Sequence, residues 1–336
     1  MNKLKNCLKN KDTSCFPVWF MRQAGRYLPE FREVRSKNLN FIELCLNSNL
    51  SSEITLQPMK RFDLDAAIIF SDILMVPYGL GQEVKFIKNE GPTLSEFNLN
   101  KFLEKNINDF SQKLSPIYEA IKKTRKNLSE DKSLISFVGA PWTLLIYMFD
   151  LKLNKNKINF EKIKKKKKEI NIVLKKLNEY LCVHIESQIK AGADVIQIFD
   201  SWAGLIPTRD LEDYCYTPNL KLVKFCKSKK TPVICFPRGI KKNYLDFNKM
   251  IQPDCLNLDY EIDPLWAKEN LGGVCLQGGM DPKTLLLPEK EIFTEVDKYL
   301  NIFKDYPYIF NLGHGLLPET NPAVLEKVIQ RVINYK

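Results

Sequence analysis

The sequence predicts an α/β fold of the (β/α)8 TIM-barrel type, one domain over residues 1–336. Three observations predict it. Eight short apolar runs recur along the chain, helical periodicity fills most of the intervals between them, and the unusual polar clusters fall just after the runs.

The apolar, β-rich runs are Pro17–Met21, Ala66–Phe70, Leu134–Val138, Val195–Phe199, Val233–Phe236, Cys255–Leu258, Val274–Gln277 and Ile309–Leu312. Between them, apolar residues repeat at helical spacing over Phe102–Lys126, Glu161–Lys190, Leu211–Lys227, Glu289–Phe303 and Ala323–Val332. Strands alternating with helices imply βαβ units and a parallel sheet, and eight units in 336 residues suit a closed barrel. An open doubly wound sheet would want a glycine-rich phosphate loop after its first strand; Arg22-Gln23-Ala24-Gly25 stands there instead. No repeat and no linker divides the chain. The stretch Val76–Phe97 carries the turn signals Gly79, Gly81, Gly91 and Pro92 and the alternating run Glu83–Ile87, so it reads as an elaborated loop with a small hairpin.

The strand ends carry the chemistry. The first run leads into Arg22-Gln23-Ala24-Gly25-Arg26-Tyr27, the second into Ser71-Asp72 and the third into Gly139-Ala140-Pro141-Trp142-Thr143. The fourth ends at Asp200-Ser201-Trp202-Ala203-Gly204, the fifth at Pro237-Arg238-Gly239, the seventh at Gly278-Gly279-Met280-Asp281-Pro282 and the eighth at Gly313-His314-Gly315. Barrel enzymes build their active sites at the C-terminal strand ends, so one polar mouth is expected. Asp63, Asp65 and Asp194 precede strands, at the opposite end, and are expected to serve turns. Asp72 sits at the mouth; a capping carboxylate is the plain reading and a functional one the sharper. His184, mid-helix, reads as an ordinary helical residue. His314, between two glycines at a strand end, is placed to meet an anion.

Charge and composition narrow the ligand. The net charge of +11 comes from 51 Lys and Arg against 40 Asp and Glu, but the lysines are scattered. The dense block Lys162–Lys168 adjoins Ile170, Val173, Leu174, Leu177 and Leu181 at helical spacing, which makes it a solvated helix end with no nucleic-acid motif beside it. Four of the nine arginines, Arg22, Arg26, Arg32 and Arg35, lie within fourteen residues. In a lysine-rich chain that clustering points to the two-point guanidinium grip on carboxylate or phosphate. No CxxC, HxxxH or HExxH occurs and no G-x-S-x-G elbow, so the residues give no support to a metal site or an activated serine. The nine cysteines read as reduced, mostly buried thiols. The N-terminus has no apolar core for a secretory signal. The longest apolar run, Phe137 to Phe149, is broken by Gly139, Pro141 and Thr143, so no membrane span and a cytoplasmic location are expected. From the residues alone, an anion-binding barrel enzyme without metal or nucleotide is expected.

The stretch from Pro17 to Arg32, PVWFMRQAGRYLPEFR, resembles the N-terminal signature of uroporphyrinogen decarboxylases. Five further matches follow in that family's order: Phe70-Ser71-Asp72-Ile73-Leu74, Gly139-Ala140-Pro141-Trp142-Thr143, Phe199-Asp200-Ser201-Trp202-Ala203-Gly204, Phe236-Pro237-Arg238-Gly239 and Asn311-Leu312-Gly313-His314-Gly315. Two departures stand out: Gly279 where the family usually has Asn, and Asp200 where relatives carry Glu. The resemblance implies a homodimeric barrel without a cofactor that turns four acetate side chains of uroporphyrinogen III into methyl groups, giving coproporphyrinogen III. It implies Asp72 and Arg22 as catalytic residues, with substrate bound by Arg22, Gln23, Arg26, Arg35, Asp72, Tyr147, Phe199, Ser201 and His314. Two other readings compete. A zinc methyltransferase of the same superfamily would need a thiolate and histidine cluster at the mouth, and a basic nucleic-acid binder would show steep salt-dependent DNA binding.

Overall fold

A computed structural model describes residues 2–38, 40–87, 91–154 and 157–335. Strands β1 (Ala66–Ile68), β2 (Ser133–Gly139), β3 (Val195–Asp200), β4 (Val233–Pro237), β5 (Cys255–Leu258), β6 (Cys275–Gly278) and β7 (Tyr308–Ile309) form one curled sheet. They lie in chain order and pair in parallel throughout. All seven overlap expected runs, though β1 stops at Ile68 and β7 shares only Ile309 with the expected Ile309–Leu312. They are buried on both faces and mostly apolar, with Ser133, Ser136, Gln197, Asp200, Asn257 and Gln277 as the polar exceptions.

The eighth expected strand, Pro17–Met21, is not one. It makes an isolated parallel bridge at Val18 to Phe310. Pro17 has no N–H to donate, and at Arg22 the backbone turns into the left-handed region (φ 62°), so too little extended chain remains for a ladder. The segment still bonds to both sheet edges. Trp19 N–H donates to Phe310 O (3.3 Å) and Phe310 N–H to Pro17 O (2.8 Å), while Asp65 N–H, just before β1, donates to Val18 O (2.8 Å).

The helices Glu289–Phe303 and Pro322–Ile333 match their expected spans, and three others are broken. Phe102–Lys126 divides into Leu99–Glu104 and Ile107–Asn127, because Asn106 caps a new start by accepting the Asp109 N–H. Glu161–Lys190 divides at Lys166, inside the lysine block. Leu211–Lys227 begins as a 3₁₀ turn, Thr208–Asp210, and a π-turn, Glu212–Tyr216. The regular helix starts only at Thr217, since Pro218 has no N–H to return to residue 214. The expected hairpin is present, Val84–Ile87 against Gly91–Leu94. Among the described residues no helix is long and apolar enough to cross a membrane. All nine cysteines are free and seven are buried.

Helix α1 (Lys3–Asn10) was not expected. Leu4, Cys7 and Leu8, at the i, i+3, i+4 spacing of one helical face, pack against the inner sheet residues Ile135, Val195, Ile234, Cys255, Cys275 and Ile309. The helix therefore plugs the N-terminal end of the sheet. Around this floor three aspartates repeat one device, each accepting a backbone N–H from the neighbouring segment that precedes it in the sheet. Asp65 takes Val18 N–H (2.9 Å), Asp194 takes Leu134 N–H (2.8 Å) and Asp254 takes Val233 N–H (2.9 Å). Cations complete the arrangement. Lys3 pairs with Asp65 (3.4 Å), and both Lys5 and Arg125 pair with Asp194. Asp63, also expected to be structural, pairs with Lys132 (2.6 Å).

Candidate active site

The opposite end of the sheet collects the polar clusters. Arg22 is positioned by a loop whose backbone is bonded almost residue by residue. Asn311 Oδ1 accepts the Met21 N–H (3.2 Å), Leu316 N–H donates to Met21 O (2.9 Å), and Tyr27 OH donates to Gln23 O (2.8 Å). Gln23 is fully buried. Its Oε1 accepts Phe20 N–H (3.0 Å) and its Nε2 donates to Ala66 O (3.0 Å). Its side chain is thus committed to bracing the Arg22 loop against β1 rather than to the mouth. Holding a non-glycine residue at positive φ costs energy, which this bracing offsets. The stem of Arg22 crosses Gly315, where an added Cβ would stand 2.4 Å from Arg22 Cδ, so glycine is required there.

Asp72 follows β1. Phe70, two residues earlier, is clamped by the helix Ser48–Arg61: Ser51 Oγ donates to Phe70 O (2.6 Å) and Phe70 N–H donates to Thr55 Oγ1 (2.8 Å). Asp72 Oδ1 accepts the Leu74 N–H (2.8 Å). Half-buried and without an ion pair among the described residues, its carboxyl is pushed up to about 6, burial outweighing the Leu74 hydrogen bond and the positive charge of Arg22. Arg22 opens to the mouth, yet the protein packed around it holds its guanidinium below the ordinary value. Desolvation is the main cause and the like charges of Arg26 and Arg238 add to it, with Asp72 opposing. Tyr147 lies within electrostatic reach of both Asp72 and Arg22, its phenol raised chiefly by burial, and its ring meets Trp202 edge-on at 6.1 Å. His314 is pushed down to about 4, first by burial and then by Arg22 and Arg238, so at neutral pH it is an uncharged imidazole with one donor and one acceptor. His184, by contrast, is a core residue bonded to Tyr118 (2.9 Å) and Gln188 (2.7 Å).

The remaining expected residues divide. Arg26 is exposed on the same loop, without an ion pair among the described residues. Arg35 lies a step away. Its guanidinium bonds to Asn38 O and stands 5.8 Å from the Phe41 ring, though Cys45 feels both it and Asp72. Arg32, the fourth of the cluster, is spent on the carbonyls of Arg26 (2.8 Å) and Tyr27 (3.0 Å). Phe199 points into the sheet interior, edge-on to Phe137 (5.6 Å) and Phe236 (6.5 Å), an aromatic layer under the mouth. Ser201 is half-buried beside it. Asp200 is buried and raised to about 6 by desolvation. Its carboxylate accepts Thr143 Oγ1–H (2.7 Å) and Asn219 Nδ2–H (3.1 Å), and Thr143 Oγ1 in turn accepts the Trp202 N–H (3.3 Å), so Asp200 ties the β2 and β3 loops together. Gly278 and Gly279 both take positive φ (76° and 103°); Asn, the side chain most tolerant of that region, is the natural alternative to Gly279.

Sequence reasoning missed Arg238 as a site residue, although its motif was in view. Its signal was present: a further arginine in an arginine-poor chain, at a strand end. The buried polar row under the mouth was also missed. Trp19 Nε1–H donates to Gln277 Oε1 (2.9 Å), Gln277 Nε2–H donates to Asn257 Oδ1 (2.5 Å), and Gln197 lies beside them (3.5 Å). Single polar residues inside apolar strand runs carry no pattern that separates them from exposed positions. Among the described residues no three His, Cys, Asp or Glu side chains gather into a group able to hold a metal.

The family model described as uroporphyrinogen decarboxylase (URO-D) matches residues 1–335. Relatives named uroporphyrinogen decarboxylase include one from Rickettsia felis, 40% identical over all of this chain and 98% of that protein. Another, from Orientia tsutsugamushi strain Ikeda, is 39% identical over all of this chain and 99% of that one. Among solved structures, a methyltransferase from Methanosarcina mazei superimposes with a TM-score of 0.78 at 20% identity, covering 98% of this chain and 97% of that one, a likeness of fold alone.

Proposed function

The chain belongs to the uroporphyrinogen decarboxylase family, and from that premise we propose that Asp72 and the guanidinium groups around it carry the reaction. Its role is that of a decarboxylase in porphyrin and heme biosynthesis. The reading takes uroporphyrinogen III as substrate, four acetate arms losing carbon dioxide in turn, and coproporphyrinogen III as product.

The chemistry explains why such a site needs these residues. A carboxylate leaves as carbon dioxide only if its electron pair has somewhere to go. Protonating an electron-rich pyrrole makes a cationic ring that accepts the pair as carbon dioxide leaves; a second proton then adds to the exocyclic carbon to complete the methyl group, and the ring gives up the first proton to become a pyrrole again. The substrate is thus its own electron sink, and the residues must hold a polyanion, stabilise a transient cation and exclude competing water. Asp72 suits the second task. Among the described residues it forms no ion pair and accepts the Leu74 N–H alone, which leaves its charge to accept pyrrole N–H groups and to stabilise the cation by preorganised electrostatics. Arg22 and Arg26, on one loop, within electrostatic reach of each other and without an ion pair among the described residues, suit the first. Arg22, or a water it holds, delivers the proton. Tyr147, Ser201 and neutral His314 offer polar contacts around the arms, Phe199 an apolar bed for the macrocycle, and Arg35 an outer cation. Gln23 supports Arg22 from behind.

The same reading extends to a single closed (β/α)8 barrel over 1–336, with the bridged Val18 segment standing in for the eighth strand, and to a cytoplasmic homodimer working without cofactor or metal. The family match over 1–335 supports the single unit. One observation carries the site assignment: a half-buried carboxylate and guanidiniums that form no ion pair among the described residues lie within electrostatic reach at one mouth. Anaerobic incubation with uroporphyrinogen III, followed by chromatography of the porphyrins after oxidation, is expected to show stepwise loss of four carboxyl groups. Recovery of unchanged octacarboxylate would end this reading.

A further inference from the structure

We propose that Arg238 is a carboxylate-binding residue of the mouth, gripping the polycarboxylate substrate from the β4 side while Arg22 holds it from the other. This rests on the decarboxylase reading above and adds a residue that the matched motifs alone did not mark as a ligand. Strand order sets the geometry. Arg22 follows the segment that bonds to both β7 and β1, and Arg238 follows β4, the middle strand of the seven. The two residues therefore enter the mouth from opposite sides. They are nonetheless close enough for their charges to act on each other, and both act on His314.

The backbone of Arg238 is fixed from both directions. Its N–H donates to Asp200 O (3.2 Å), and its carbonyl accepts the Gly204 N–H (2.8 Å). The neighbouring Gly239 N–H donates to Asp259 Oδ2 (2.7 Å). Gly204 and Gly239 pass so closely that a Cβ on Gly204 would stand 2.5 Å from Gly239 O. On this rigid mount the side chain itself has little to hold. Its nearest polar partner is the Tyr260 hydroxyl at 3.5 Å, and among the described residues it forms no ion pair. Tyr260 leads to the third party, because an added Cβ at Gly313, next to His314, would lie 2.4 Å from Tyr260 N. Arg238, Tyr260 and His314 thus make a cationic and hydroxyl-bearing edge within electrostatic reach of Arg22. A guanidinium held rigidly and left without a carboxylate is built for two-point recognition of one supplied by a ligand.

The test uses two readouts on full-length protein: fluorescence titration with uroporphyrin, the oxidised octacarboxylate, and steady-state turnover of uroporphyrinogen. Arg238→Gln is expected to weaken uroporphyrin binding and raise KM by about 10- to 100-fold, the worth of a charged hydrogen bond, with kcat changed far less. Arg238→Lys, which keeps the charge but loses the fork, is expected to fall between. Melting temperatures of both variants verify folding, and the partly exposed side chain leaves it undisturbed. Wild-type affinity in Arg238→Gln, or a loss confined to kcat, would overturn the proposal. Wild-type turnover is the separate control: its presence upholds the decarboxylase reading whatever Arg238 does, and its absence refutes that reading on its own.

Discussion

The two ends of the sheet use aspartate in opposite ways. At the floor, Asp65 and Asp194 each accept a strand N–H and each meet a lysine or arginine. At the mouth, Asp72, Asp200 and Asp259 accept hydrogen bonds but form no ion pair among the described residues. Asp72 and Asp200 ionise at about 6. The floor carboxylates stabilise the fold; Asp72 is held at a cost that only a cationic partner from outside would relieve. One residue type at the two ends of one sheet therefore gives a direct contrast between stability and function.

The largest expected effect is Asp72→Asn. Near-isosteric, it keeps an oxygen for the Leu74 N–H and loses the charge. Turnover at pH 7.5 is expected to fall by about 10³-fold or more, on the order of 4 kcal/mol of barrier. Stability is expected to move the other way. Because the folded pKa of Asp72 lies above its unfolded 3.8, folding favours the protonated form. The penalty is absent below pH 3.8, grows as pH rises through 6 and is complete above it, at roughly 3 kcal/mol at most. Asp72→Asn removes that penalty, so its Tm is expected to exceed wild type at pH 8 and to match it near pH 4. In wild type, kcat/KM is expected to fall on the acid side with an apparent pKa near 6. An Asn variant less stable at pH 8 would erase the contrast between the two ends.

Gly315→Ala comes next. The added methyl would meet the Arg22 stem, 2.4 Å from Cδ, without touching Asp72. Moving a rigidly placed guanidinium by about an ångström is expected to lower kcat/KM on the order of 10²-fold, with a smaller change in Tm. Full activity would show that the Arg22 position is not set by its loop.

Much of this division was legible in the sequence. The alternation of runs gave seven strands at nearly their observed bounds, and the polar clusters after them marked the mouth. Asp72 against Asp65 and Asp194 was separable by position alone, since one follows a strand and the others precede one. What escaped has physical reasons. Helix α1 carries only three apolar residues among lysines, and its burial depends on the open end of a sheet assembled from residues up to 300 positions away. Pro17–Met21 has a strand's composition but lacks its ladder, for want of an N–H at one end and because of the turn at Arg22. Gln23 sits in the most specific motif of the chain, yet its contacts are with Phe20 and Ala66; a motif records necessity without saying whether a side chain faces the ligand or the loop that holds it.

The floor half of the contrast is tested by Asp194→Asn. The substitution weakens the pairing with Arg125 and Lys5 and turns a charge-assisted bond to the Leu134 N–H into a neutral one. A loss of about 1–3 kcal/mol in unfolding free energy is expected, with kcat per folded molecule unchanged, measured by urea titration and by activity below the transition. Lys3→Gln marks the small end of the scale: its side chain is 41% exposed and its ammonium lies 3.4 Å from Asp65, so about 0.5 kcal/mol or less is expected. Asp65 keeps the Val18 N–H in that variant. If Lys3→Gln cost as much as Asp194→Asn, solvent-exposed charge on the plug helix, rather than carboxylates bonded to strand amides, would be what secures the floor.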